Sequence, residues 1–159
     1  ADIQKAIREM AAFFRRKKIA VLVTGDPGLC SLAKPVIRRF GRASCRVIPG
    51  ISSVQVAFAR IGLDWLDARV INAHERPPDT DLSSLKTEKK IAVLVGGEKS
   101  RPWIASLAML FGKERRIFVC ENLTLKNEKV RPIRSAALKK ISLPSRTIIL
   151  FIHNLCATS

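Results

Sequence analysis

Three short loops with glycine and polar side chains follow apolar runs, and they are the places where this sequence could bind a ligand. The loops are GDPG at 25–28, PGISS at 49–53 and GGEKS at 96–100. In open α/β sheets, ligands bind where strands end, because helix N-termini and free backbone amides converge there. The spacing therefore predicts a binding site built mostly from backbone.

The GDPG loop allows two interpretations of its carboxylate. Its glycines permit a sharp turn and a close approach to a ligand, and Pro27 stiffens the turn. Asp26 then either presents acceptor oxygens to a ligand or only organises the turn and the helix that follows. The loop has neither the GxGxxG spacing of a dinucleotide site nor a Walker lysine, and GGEKS lacks the glycine spacing of a phosphate loop.

A few other polar residues stand at element ends. Ser52 and Ser53 begin a predicted helix, where serine acts as an N-cap or as a ligand contact. His74 and the pair Glu121-Asn122 each end a predicted strand, and each is either a contact or an exposed terminus. For His153 a structural role is predicted.

Hydrolytic and metal chemistry have no support in the sequence. There is no Ser-His-Asp arrangement, paired-carboxylate spacing or cluster of metal ligands, so no metal is predicted. The four cysteines stand far apart without a CxxC pair, so the sequence indicates neither a zinc site nor a disulfide framework. They are predicted to be reduced and mostly buried: Cys30, Cys45, Cys120 and Cys156.

The net charge of +16 predicts a polyanionic partner. A nucleic-acid-binding module is one interpretation, but the chain has no Tyr, two Trp and no groove-reading motif. A small polycarboxylate suits the charge equally well. No apolar run reaches the ~18 residues of a membrane span and no signal peptide is visible, so a cytoplasmic location is predicted. The first residue is not Met, and we expect a chain truncated at its start.

The elements that would position these loops alternate between helix and strand, which predicts an α/β fold with largely parallel sheets. A boundary after residue 66 gives an N-terminal α/β domain, 1–66, and a C-terminal α/β domain, 67–159. Helices are predicted up to about residue 16 and at 31–41, 51–62, 101–112 and 135–141. Strands are predicted at 19–25, 45–50, 68–74, 89–97, 115–123, 129–133 and 145–154.

Together, VLVTGDPG, VIPGISSVQVAFARIGLDW and FVCENL resemble the tetrapyrrole methylases, S-adenosylmethionine-dependent enzymes of cobalamin and sirohaem synthesis. GDPGxxSLA and VIPGISSVQxAFARxGLxWxDARV are most similar to the precorrin-6Y C5,15-methyltransferase (decarboxylating) group and to the cobalt-precorrin C5-methyltransferases of the anaerobic route. The resemblance is strongest from residue 19 to 76 and weaker after 120.

The resemblance implies two α/β domains with a ligand cleft between them, S-adenosylmethionine as methyl donor, and methylation of C5 of a precorrin-type macrocycle. It implies a polycarboxylate tetrapyrrole substrate, with or without cobalt, and a homodimer. The family also begins with a strand and a GxGPG loop, which this chain lacks. A basic nucleic-acid-binding module and a non-catalytic methylase-like binding domain are the alternatives.

The resemblance assigns site residues by motif position, with no catalytic residue among them. The donor-binding set is Gly25, Asp26, Pro27, Gly28, Leu29, Ser52, Ser53 and Val95. His74 and Arg76 are the substrate-binding candidates, although Glu75 stands between them where the family has glycine.

Overall fold

The computed structural model describes residues 2–74 and 76–157, which form two compact units. The first ends at Ser52 and the second begins at Ser53. The predicted boundary after residue 66 lies further along the chain. The difference concerns one helix, 53–60, which packs with the second unit because its apolar face contacts the last strand of that unit.

The first unit contains two helices, α1 (Ile3–Phe13) and α2 (Ala33–Phe40). The carboxylate of Asp2 caps α1 by accepting hydrogen bonds from the amides of Gln4 and Lys5. Gly41 ends α2 with φ 82°, a conformation that favours glycine. The rings of Phe14 and Phe40 stack at a centroid distance of 4.7 Å, which ties the ends of the two helices together.

The two strands predicted in the first unit do not form. Segments 19–25 and 45–50 belong to no sheet of the described residues, and their apolar side chains are exposed, with Leu22 at 93% and Ile48 at 71%. A cavity of about 550 Å³ lined by both segments lies between them. Because a strand exists only through hydrogen bonds to a neighbour, apolar composition alone did not make these segments strands.

The second unit is built around one sheet, against which its helices pack. Its helices are α3 (Ser53–Arg60) and α4 (Arg101–Phe111). Its strands are β1 (Arg69–Ala73), β2 (Lys90–Val95), β3 (Arg115–Glu121), β4 (Lys129–Ile133) and β5 (Thr147–His153). Short 3-10 helices connect them at Leu82–Leu85, Glu98–Ser100 and Ser135–Lys139, and another, Asn154–Ala157, follows β5.

The sheet has the strand order β1-β2-β5-β3-β4 and is mixed. Only β1 and β2 are parallel, whereas β2–β5, β5–β3 and β3–β4 are antiparallel. The prediction of a largely parallel sheet is therefore wrong, although the α/β class is confirmed. The predicted strands 115–123 and 129–133 follow each other without a helix, and such a short connection joins antiparallel strands. The alternation of elements did not reveal that β5 lies between β2 and β3 and runs antiparallel to both.

The core of the second unit lies on both faces of this sheet. One face packs against α4, with Ile104, Leu107 and Phe111 among its buried side chains. Strand β5 also contacts α3, whose Phe58 is fully buried. Because alternate residues of a strand point to opposite faces, a strand buried on both sides must be apolar throughout, as β5 is from 148 to 152.

The cysteines differ in burial. Cys120 in β3 is buried, and burial raises the pKa of its thiol to about 12, so it stays protonated at neutral pH. Cys30 is exposed, and Cys45 and Cys156 are half-buried. The predicted core location therefore holds for Cys120 alone, while all of them are free thiols.

Across the described part of the chain, no helix combines the length and the apolar character that crossing a membrane would require.

The difference between the two units predicts a contrast in amide exchange. We expect amides of β2 and β5 to exchange orders of magnitude more slowly than amides of 19–23 and 46–48, because only the former are held in a buried ladder. Hydrogen–deuterium exchange followed by NMR or mass spectrometry measures both sets in one sample. Equal protection of the two sets would contradict the unpaired state of these segments.

Candidate functional site

In the first unit, the carboxylate of Asp26 joins two of the loops that the sequence singled out. Its Oδ1 accepts a hydrogen bond from the amide of Gly28 at 2.7 Å, within the GDPG turn. Its Oδ2 accepts one from the amide of Gly50 at 3.0 Å, in the PGISS loop. Asp26 therefore organises its own turn and also fixes the position of the second loop.

Glycine is required where these loops meet. A Cβ on Gly50 would lie 2.5 Å from the carbonyl oxygen of Gly25, which is closer than real Cβ contacts allow. Gly25 itself has φ 76°, in the region that favours glycine. The backbones of the two loops are thus in direct contact at Gly25 and Gly50.

The other predicted donor-binding residues of this region flank that backbone. Pro27 and Leu29 are half-buried and Gly28 is exposed. The amide of Leu29 donates to the carbonyl of Asp26 at 3.1 Å, which closes the turn. Ser52 is buried at the end of the first unit, and Ser53, the first residue of α3, is exposed.

In the second unit, the backbones at the ends of β1 and β2 also approach closely, as those of Gly25 and Gly50 do in the first unit. A Cβ on Gly96 would lie 1.6 Å from the backbone oxygen of His74, so no larger residue fits there without displacing the chain. The buried hydroxyl of Ser100 donates to the carbonyl of Ala73. These contacts hold the residues after β1 against the loop after β2.

The remaining predicted residues occupy different environments. Val95 is 1% exposed, and its side chain belongs to the apolar core, so only its backbone lies at the strand end. His74 and Arg76 are exposed directly after β1. The amide of His74 donates to the Oδ1 of Asn72 at 3.0 Å. Glu75, between the two candidates, lies outside the described residues.

A row of side chains crosses the sheet at this edge, and only two of its members, Val95 and Glu121, were singled out from the sequence. Ala73 pairs with Val95, Val95 with Thr147, and Thr147 with Glu121. We call these four residues the edge row. Glu121, predicted to be either a contact or an exposed terminus, is buried and accepts a hydrogen bond from Arg131 at 3.1 Å. No local pattern reveals the row, because its members come from four separate strands.

Two further contacts stabilise loops at the same edge. The carboxylate of Glu128 accepts hydrogen bonds from Arg60 on α3 and from the amide of Thr124, and these bonds lower the pKa of Glu128. The Oε1 of Glu98 accepts from the amide of Leu143 at 2.9 Å. The Arg60–Glu128 and Glu98–Leu143 links join residues that lie far apart in the sequence, so no spacing in the sequence could have indicated them.

The chemistry available here is binding and orientation. Neither the loops nor the edge row brings a nucleophile against a base, and no group of three or more metal-ligating side chains occurs in 2–74 and 76–157. Exposed backbone at glycine turns can approach a ligand closely, and a buried hydroxyl and a carboxylate can form hydrogen bonds to it. Groups of this kind can position a reactive ligand that brings its own activation.

The close approach at Gly96 predicts a steric penalty. Gly96→Ala should destabilise the protein by about 1–3 kcal/mol or more, because the new methyl group overlaps the backbone of His74. Gly62→Ala is the control: its Cβ would meet nothing within 4 Å, and its φ of 71° adds backbone strain of about 1–2 kcal/mol. Urea denaturation measures both, and a smaller loss for Gly96→Ala would contradict the geometry.

Comparison with known proteins places the chain in a family. The model of the tetrapyrrole (corrin/porphyrin) methylases matches residues 1–139. The cobalt-precorrin-7 C(5)-methyltransferase of Salmonella typhimurium is 33% identical over 131 residues, which are 82% of this chain and 64% of that protein. The probable cobalt-precorrin-7 C(5)-methyltransferase of Methanocaldococcus jannaschii is 32% identical over 121 residues, covering 73% and 56%. The chain thus spans less than two thirds of either relative.

Solved structures agree in fold. The cobalamin biosynthesis precorrin-6Y methylase from Archaeoglobus fulgidus superposes with a TM-score of 0.68 at 27% identity, covering 94% of this chain and 70% of that one. The uroporphyrin-III C-methyltransferase from Thermus thermophilus in complex with S-adenosylhomocysteine has a TM-score of 0.72 at 17% identity, covering 95% and 74%, and supports the fold alone. On the length of the family match and the level of identity to these relatives, the chain belongs to the tetrapyrrole (corrin/porphyrin) methylases.

Proposed function

We propose that this protein is an S-adenosylmethionine-dependent methyltransferase that methylates C5 of a precorrin-type tetrapyrrole. The observation that carries the proposal is the GDPG–PGISS pair, two glycine loops held together by one carboxylate, in a chain similar to C5-methyltransferases over most of its length. The named relatives supply the reaction, and the loops supply a place for its donor.

The residues present fit the methyl donor. Gly25, Gly28 and Gly50 carry no side chains, so a nucleoside or an amino-acid group could approach the backbone of these loops closely. Asp26 keeps this surface in one shape because both of its oxygens are engaged by backbone amides. Bound S-adenosylmethionine would supply a methyl group already activated by its sulfonium.

The contribution of the protein is then orientation. An activated electrophile needs little acid or base from the protein, and holding two reactants in line supplies much of a rate enhancement. The absence of a nucleophile–base pair among the described site residues is compatible with this chemistry. We assign Gly25, Asp26, Pro27, Gly28, Leu29, Ser52, Ser53 and Val95 to donor binding.

The charge of the chain suits the substrate. Corrinoid precursors carry many carboxylates, and a net charge of +16 favours their approach. Arg76 is exposed beside His74 at the carboxyl edge of the sheet, and we assign both to substrate binding. The names of the relatives include both cobalt-containing and metal-free substrates. The family resemblance alone supports a homodimer, which light scattering can test.

Donor binding is the first test of this proposal. Calorimetric titration with S-adenosylhomocysteine should give saturable binding with a dissociation constant in the micromolar range. Transfer of a labelled methyl group from S-adenosylmethionine to a precorrin substrate should follow. Absence of binding at about 1 mM ligand would overturn the proposal, whereas binding without transfer would favour the non-catalytic alternative.

Substitution of Asp26 tests the role of the loop connection. Asp26→Ala should weaken S-adenosylhomocysteine binding about tenfold, because Gly50 loses the charged acceptor that holds its loop. Asp26→Asn retains one acceptor oxygen and should recover part of the affinity. Calorimetry measures binding, and thermal unfolding of the free protein serves as the control. Unchanged affinity in Asp26→Ala would limit this carboxylate to organising its turn.

A further inference from the structure

The edge row is apolar at two of its positions and polar at the other two, and all four residues are buried. Ala73 and Val95 are apolar, while their neighbours Thr147 and Glu121 are polar, and the four are between 0% and 6% exposed. They lie in register on adjacent strands, so their side chains share one face. The polar pair therefore ends a face that is apolar along the rest of β2 and β5.

Thr147 is the member without a partner. Its residue is 2% exposed and its hydroxyl forms no hydrogen bond. Arg101 also has one unpaired nitrogen and Arg115 has two, but Arg101 forms an ion pair with Glu98 and Arg115 donates to the carbonyl of Lys86. Among buried side chains in the described ranges, Thr147 alone has its only polar atom unpaired.

A buried hydroxyl without a partner costs free energy, because its hydrogen bonds to water are lost and not replaced. Valine has nearly the same shape and would remove that cost. Glu121 pairs with Thr147 across the strands, yet its carboxylate bonds to Arg131 instead. The hydroxyl of Thr147 therefore has no hydrogen-bond partner within the fold, and it lies at the edge of the sheet where ligands bind.

We propose that the hydroxyl of Thr147 is a specificity contact for the nucleoside part of the methyl donor, alongside Val95 in the edge row. This inference rests on the proposed function. A neutral hydroxyl between the apolar Val95 and the Arg131-paired Glu121 suits a neutral hydrogen-bonding group of a base or ribose. The charged amino-acid end of the donor does not suit it, because burying a charge there would require an ionic partner and the carboxylate of Glu121 already has one.

Contact between the donor and the hydroxyl of Thr147 requires a local rearrangement of the protein. Thr147 is covered in the free protein, so the loops that flank it, 96–100 and 142–146, shift when the ligand binds. Glu98 connects these two loops through the amide of Leu143, and they therefore move together. Binding should accordingly change amide exchange in both loops.

The test separates ligand contact from structural support. Thr147→Val should weaken binding of S-adenosylhomocysteine and of 5′-methylthioadenosine by a similar factor, about fivefold to tenfold for one hydrogen bond. The melting temperature without ligand should stay the same or rise, because an unpaired buried polar group is removed. Thr147→Ser keeps the hydroxyl and should retain most of the affinity.

Two controls complete the experiment. Thr87→Val makes the same substitution at an exposed position and should change neither property. Ser100→Ala removes a buried hydroxyl that does have a partner, the carbonyl of Ala73, and should lower the melting temperature. Equal affinity of Thr147→Val and the wild type overturns this inference alone, as does a parallel loss of stability and affinity. No binding by the wild type overturns the proposed function as well.

Discussion

Strand β5 is the constraint on which the second unit depends. It pairs with β2 on one side and with β3 on the other, and its residues from 148 to 152 are at most 4% exposed. Because β5 runs antiparallel to both neighbours, its first residue lies beside their last residues. A strand of opposite direction in this place would bring His153 to the ligand edge instead. The direction of β5 is therefore what places Thr147 between Val95 and Glu121.

Both units bring separate loops together by the same physical means. In each, a glycine allows two backbones to approach within a distance that a Cβ would prevent, at Gly50 and at Gly96. In each, a polar side chain bonds to backbone across the gap, Asp26 to an amide and Ser100 to a carbonyl. The glycine lets the two backbones come close together, and the hydrogen bond of the polar side chain fixes their relative position. In the first unit, Asp26 holds the GDPG and PGISS loops in one arrangement before any ligand arrives, which is what an orienting site requires.

The sequence predicted elements better than it predicted their partners. The apolar runs around Val93 and Ile149 form buried strands as expected, but the equally apolar run around Val21 forms none, because composition reports a preference for burial and not a neighbour to pair with. The loops at Asp26 and Gly50 were recognised separately. That one carboxylate bonds to the other loop depends on three-dimensional closeness across 24 residues, which no spacing rule contains.

The buried polar groups at the two ends of the central strands differ in how they are hydrogen-bonded. At the amino end of β3, Arg115 donates to the carbonyls of Leu85 and Lys86, and its guanidinium lies 3.9 Å from the ring centre of Phe111, so the group attaches a 3-10 helix to the sheet. Burial lowers the pKa of Arg115, and this cost is offset by contacts within the fold. At the other end, Thr147 receives no such compensation. The hydrogen bonds of Arg115 give it a structural role at one end, whereas the unpaired hydroxyl of Thr147 at the other end is the observation from which its ligand contact is inferred.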